Sequence, residues 1–154
     1  MERELHWRSL DDTRAFGLRL GAVLRGGDLL VLTGDLGAGK TTLTQAIGEG
    51  LGVRGPVTSP TFVIARVHPS LVGGPALVHV DAYRLGSTVE LDDLDLDADL
   101  DSSVVVVEWG AGLAEQLSDS RLELVITGEV ERSVHARAVG ARAEAVLAAV
   151  APAS

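Results

Sequence analysis

The chain has no cysteine, no asparagine, no methionine beyond its first residue, and a single lysine among 154 residues. Without cysteine, disulfides, thiolate nucleophiles and cysteine-based zinc sites are excluded. Without asparagine there is no Asn-Lys-x-Asp motif, so guanine recognition of the kind GTPases use is closed. Aromatic residues make up 3% of the chain, which leaves Leu, Val, Ile and Ala to build the core. No apolar run approaches the length of a membrane-spanning helix. The opening Met-Glu-Arg-Glu-Leu-His-Trp-Arg lacks the apolar stretch of a signal peptide, so a cytoplasmic protein with no membrane partner is expected. Positive charge is also scarce: 13 basic against 22 acidic residues give a net charge of −9. Phosphate backbones attract clustered Lys and Arg, so autonomous nucleic-acid binding is not expected.

Length and pattern point to one domain over residues 1–154. A short candidate strand near Leu5 to Arg8 precedes a helix capped by Asp11 or Asp12, with Phe16, Leu20, Val23 and Leu24 on one face and Gly26-Gly27 at its end. Leu29-Leu30-Val31-Leu32 reads as a strand buried on both sides of a parallel sheet. A glycine-rich loop follows, then a helix with Leu43, Ile47 and Leu51 inward. Thr61 to Val67 and Ala76 to Val80 read as two strands of an antiparallel hairpin. Ser87-x-x-Glu90 reads as a capping box opening an acidic helix. Its acids, Glu90 to Asp101, do not form a calcium loop, because with Asp93 as the first position the sixth is Ala98 rather than glycine and the twelfth is Val104 rather than glutamate. Val104 to Val107 is the clearest central strand. A short helix from Ala111 to Leu117, a strand from Leu122 to Thr127, an alternating edge strand from Val134 to Ala138 and a helix from Ala141 to Ala151 complete the chain. The expected fold class is α/β: a P-loop NTPase-like sheet with a parallel core and an antiparallel extension, helices on both faces.

The lone lysine, Lys40, falls in Gly34-Asp35-Leu36-Gly37-Ala38-Gly39-Lys40-Thr41, the G-x-x-x-x-G-K-[ST] pattern of a phosphate-binding loop. Every other basic residue is arginine, yet a planar guanidinium does not replace a compact ammonium that must curl under a phosphate. Strand, loop and helix are the context this motif requires. Lys40 would reach the β- and γ-phosphates and the Thr41 hydroxyl would ligate magnesium. As an exposed loop residue, Lys40 is expected to add little to the core. Such sites also need an acid at a strand's carboxyl end. Glu108, after the four valines, is favoured as the metal-linked acid, and Asp81 as the group that orients or deprotonates the attacking water. Ser59-Pro60-Thr61 could close over the γ-phosphate. Trp109 taken alone reads as packing, and His6, His68, His79 and His135 show no metal-ligand spacing. A small-molecule kinase is the rival, but no acid lies between Leu51 and Val63 where such kinases carry a pair. A nucleotide-sensing adaptor that binds without hydrolysing is a third reading.

Four segments in order and spacing resemble the TsaE family: Gly-Asp-Leu-Gly-Ala-Gly-Lys-Thr-Thr at 34–42, Ser-Pro-Thr at 59–61, His-Val-Asp-Ala-Tyr-Arg-Leu at 79–85 and Val-Glu-Trp at 107–109. The likeness runs from about Ser9 to Val139. It implies the ATPase component of bacterial tRNA threonylcarbamoyladenosine synthesis, the t6A modification at adenosine 37 of ANN-decoding tRNAs, working with the TsaB–TsaD complex. It implies ATP and Mg²⁺ as cofactors. By motif, the ATP site spans Gly34, Asp35, Leu36, Gly37, Ala38, Gly39, Lys40, Thr41 and Thr42, with magnesium on Thr41 and Glu108. The resemblance also makes Asp81 and Trp109 necessary for turnover, Ser59 and Thr61 a switch-like segment, and Arg132 the family's loop arginine. Adenine contacts are expected around Leu10 to Thr13, and the acidic segment 90–101 stays unassigned.

Overall fold

Leu29-Leu30-Val31-Leu32 lies at the centre of a seven-stranded sheet in the computed structural model of this chain, which describes residues 1–34, 40–53, 65–81, 102–108, 120–128 and 131–151. Within them run β1 (Glu2–Trp7), α1 (Leu10–Val23), β2 (Leu29–Gly34), α2 (Lys40–Leu51), β3 (Ala65–His68), β4 (Ala76–Asp81), β5 (Ser103–Glu108), β6 (Arg121–Thr127), β7 (Arg132–Val139) and α3 (Ala141–Val150). The strand order is β1-β7-β6-β2-β5-β4-β3. Strands β6, β2, β5 and β4 are mutually parallel, β3 pairs antiparallel with β4 at one side, and at the other β7 pairs antiparallel with β6 and β1 antiparallel with β7. The α/β class with a parallel core and an antiparallel extension is therefore observed.

The apolar runs explain the centre. Side chains alternate across a strand, so a strand covered on both faces must be apolar at every position. Leu30, Leu32, Val104, Val106, Leu122, Leu124 and Ile126 join Phe16, Leu20, Leu43, Ile47 and Leu147 in one core against α1, α2 and α3. Leu29, Val31, Val78, Val80, Val105 and Val107 on the opposite face are buried as well. The expected acidic helix, the helix at Ala111 to Leu117 and residues 61–64 of the first hairpin strand lie outside the described residues.

Two expectations need correction. The alternation from Val134 to Ala138 is real, with Val134, Ala136 and Ala138 buried, but β7 is not an edge strand: β1 pairs with it from Glu2↔Arg137 to Trp7↔Arg132. Alternation reports that one face is covered and carries no information about how many strands lie alongside. The cap of α1 is Ser9, not Asp11 or Asp12. Asp12 serves the same terminus from inside the helix, its Oδ2 accepting the Arg8 N–H at 2.9 Å.

Helices α1 and α2 cross at very short range. An ideal Cβ on Gly17 would lie 2.5 Å from the Ala46 Cβ, and one on Gly21 would lie 2.5 Å from the Ile47 carbonyl oxygen and 2.7 Å from the Gly50 Cα. These glycines let the two backbones touch, which seats α2, and with it Lys40, over the sheet. At the opposite pole Arg142 of α3 donates to both Asp28 oxygens at 3.0 Å and to the Val23 carbonyl at 2.7 Å. That fork fastens the terminal helix to the turn between α1 and β2.

Candidate functional site

The carboxyl ends of parallel strands gather at one edge of the sheet, which is where open α/β sheets place their sites. Gly34 closes β2 there, and Lys40 opens α2 after residues 35–39, which lie outside the described residues. Lys40 is not the exposed loop residue expected from sequence: it is 6% exposed, and its Nζ donates to the Gly34 carbonyl at 2.5 Å. That bond ties the start of α2 to the end of β2. Behind it, the Thr44 hydroxyl donates to the Lys40 carbonyl at 2.9 Å. Thr41 is exposed on the first turn and Thr42 is half-buried. The first turn of a helix presents N–H groups without intrahelical partners and the positive end of the macrodipole, a standing attraction for anions.

The two acids expected at this edge arrive there together. The β4·β5 register pairs Asp81 with Glu108, and the β2·β5 register places Glu108 beside Leu32, two residues before the end of β2. Glu108 is buried, and its Oε1 has no hydrogen-bond partner. Arg132 reaches the same edge by topology. β7 runs antiparallel to β6, so its first residue lies beside the carboxyl end of β6, where Thr127 pairs with Ser133. Arg132 is buried and sits opposite Trp7, whose ring packs against Phe16 at 5.2 Å between centroids. Leu10, at the start of α1, is exposed, whereas Thr13 is buried. Asp35, Leu36, Gly37, Ala38, Gly39, Ser59, Thr61 and Trp109 lie outside the described residues.

One residue at this edge was given no role from sequence. His79 is completely buried in β4, two residues before Asp81, and its Nε2 stands 3.3 Å from Glu108 Oε1. Two sequence signals pointed to it: a histidine interrupting Leu77-Val78-His79-Val80, a strand otherwise apolar, and its place as first residue of the segment His-Val-Asp-Ala-Tyr-Arg-Leu at 79–85.

Comparison with known proteins follows this geometry. The profile of the family described as "Threonylcarbamoyl adenosine biosynthesis protein TsaE" matches residues 7–138. A tRNA threonylcarbamoyladenosine biosynthesis protein TsaE from Streptomyces coelicolor is 67% identical over 114 residues, 73% of this chain and 77% of that protein. The protein of the same name from Bacillus subtilis is 41% identical over 147 residues, 92% of this chain and 90% of its own. Among solved structures, Bacillus subtilis YdiB superposes with a TM-score of 0.73 at 35% identity, covering 97% of this chain and 95% of the other.

Proposed function

As the chain belongs to the TsaE family, we propose that it is a magnesium-dependent P-loop ATPase supporting threonylcarbamoylation of adenosine 37 in ANN-decoding tRNAs, acting with the TsaB–TsaD complex. The observation that carries this reading is Lys40, buried at the start of α2 and bound to the carbonyl that begins its own loop, at the edge where Asp81 and Glu108 are register partners. A lysine so placed can exchange one carbonyl for phosphate oxygens without leaving its pocket. Charge-assisted bonds to phosphate are stronger than the bond to a neutral carbonyl, so binding drives the exchange.

Glu108 fits a magnesium role: a carboxylate buried at the carboxyl edge of the sheet is costly unless a donor or a cation meets it. Thr41 and Glu108 would hold the ion with the nucleotide's phosphates, a small protein contribution typical of magnesium. The chemistry magnesium would supply when bound there is neutralising charge for the nucleotide's phosphates. The residues do the rest. Backbone N–H groups of the loop and the first turn of α2 fix the phosphates, and Lys40 meets the charge that develops as the bond to the leaving ADP breaks. Asp81 holds the attacking water in line and receives its proton as oxygen bonds to phosphorus. Ser59, Thr61 and Trp109 would close the site and Arg132 would add positive charge at the same edge.

Steering by partners is consistent with the charge. At −9 the chain has no electrostatic pull toward bare tRNA, so its contribution to a tRNA-modifying reaction runs through the TsaB–TsaD pair. Among the described residues no helix is long and apolar enough to cross a membrane, and the site of action is the cytoplasm. Phosphate release measured for the chain alone, with TsaB–TsaD and with tRNA tests this. Slow turnover alone, strong stimulation by the pair and none by tRNA are expected. Fast hydrolysis indifferent to the pair would refute the partnership, and phosphate transfer to a small metabolite would establish a kinase instead.

A further inference from the structure

His79 is fully buried between Val78 and Val80, on a strand whose neighbours are apolar, and neither ring nitrogen has a hydrogen-bond partner. Leaving such a group unsatisfied is costly, so a leucine would serve the core better at this position. The polar atom that faces it is Glu108 Oε1 at 3.3 Å, itself buried and unpartnered. Both belong to the sheet face against which α2 packs: Leu77 on β4 and Val104 and Val106 on β5 alternate with them into the same core as Leu43 and Ile47. The register holds them there, with His79 opposite Val106 and Asp81 opposite Glu108.

We propose that His79 is a positioning residue for Glu108, its Nε2–H donated to the Glu108 carboxylate so that one oxygen is fixed and the other is left for the cation. This rests on the reading of Glu108 as the magnesium-side acid. The contact now lies at hydrogen-bond length but off the bond line, a looseness common in sites before loading that tightens on loading. A carboxylate on the last residue of a strand has χ freedom that its backbone does not restrain. A donor from the neighbouring strand removes that freedom and sets the oxygen's angle toward the phosphates. Partners one shell out from a metal ligand typically change metal affinity 10–100-fold when removed.

The test uses the full chain, a fluorescent ADP analogue and a magnesium titration, with binding in excess EDTA measured alongside. His79→Leu removes the donor and keeps the volume apolar. His79→Gln places an amide N–H close to where Nε2 stood. The expected result is a magnesium midpoint raised roughly tenfold or more in His79→Leu, a midpoint near wild type in His79→Gln, and equal affinity of all three proteins in EDTA. An unchanged midpoint in His79→Leu, with wild type responding to magnesium, overturns the positioning role and leaves His79 a core residue. Equal shifts in both variants overturn the donor claim. Absence of any magnesium response in wild type overturns the assignment of Glu108 and this inference with it.

Discussion

Replacing Gly21 by alanine should destabilise the protein, although the same change in an ordinary helix stabilises it. Gly21 lies inside α1, where alanine is favoured over glycine by about 1 kcal/mol. Against that gain stands the crossing with α2. The new Cβ would lie 2.5 Å from the Ile47 carbonyl oxygen and 2.7 Å from the Gly50 Cα, both backbone atoms of the other helix. No side-chain rotation relieves such contacts, so the helices must part, and Phe16, Leu20, Leu43 and Ile47 lose packing together. Overpacking of this kind costs about 1–3 kcal/mol. The balance is a loss of up to about 2 kcal/mol, or up to about 8 °C in melting temperature for a domain of this size. Urea melts of wild type and Gly21→Ala would measure it, with an unchanged slope assuring that the unfolded state is not what moved. A variant as stable as wild type would show that α1 and α2 do not depend on backbone contact here.

Two further outcomes are expected. Glu108→Ala should weaken magnesium-dependent nucleotide binding, whereas Asp81→Ala should lower turnover and leave binding largely intact, since a group acting in the transition state adds little in the ground state; the opposite pattern in binding and steady-state assays would reverse the two roles. His135 on β7 is held by Glu4 and Glu2 of β1, and hydrogen bonds to Glu4 first and Glu2 second raise its pKa above the ordinary 6.5. A raised histidine stabilises the folded state fully below the unfolded value and loses that effect as pH climbs through the folded one. The melting-temperature gap between wild type and His135→Gln should therefore be largest below about pH 6.5 and shrink as pH climbs through the raised folded-state value; a gap independent of pH would show that the clamp on β1 is not ionic.

What the sequence disclosed and what it withheld divide along physical lines. Leu29 to Leu32 and Val104 to Val107 were legible as central strands because burial on both faces demands unbroken apolar runs. The strand before and the helix after the Gly34–Lys40 motif were legible because the motif calls for both flanks. Register was not, because it is set between strands far apart in the chain. That is why Asp81 and Glu108 could be placed at one edge but not opposite each other, and why His79 passed for a residue without chemistry. The interior place of β7 was hidden for a similar reason, its second neighbour coming from the chain's first residues. Gly17 and Gly21 lie inside α1, where glycine weakens a helix. Their compensation lies in α2, which no pattern within α1 reveals.

The central claim is that Lys40 serves nucleotide phosphate. The most direct measurement is magnesium-dependent ATP hydrolysis, with TsaB–TsaD present, by wild type and by Lys40→Arg. Arginine keeps the charge and can still donate to the Gly34 carbonyl, so the circular dichroism spectrum should stay native, but its planar fork does not fit a pocket holding a point charge. The account predicts a fall in turnover of about a hundredfold or more, the scale of losing one preorganised transition-state donor. Near-normal hydrolysis by the folded arginine variant would contradict it.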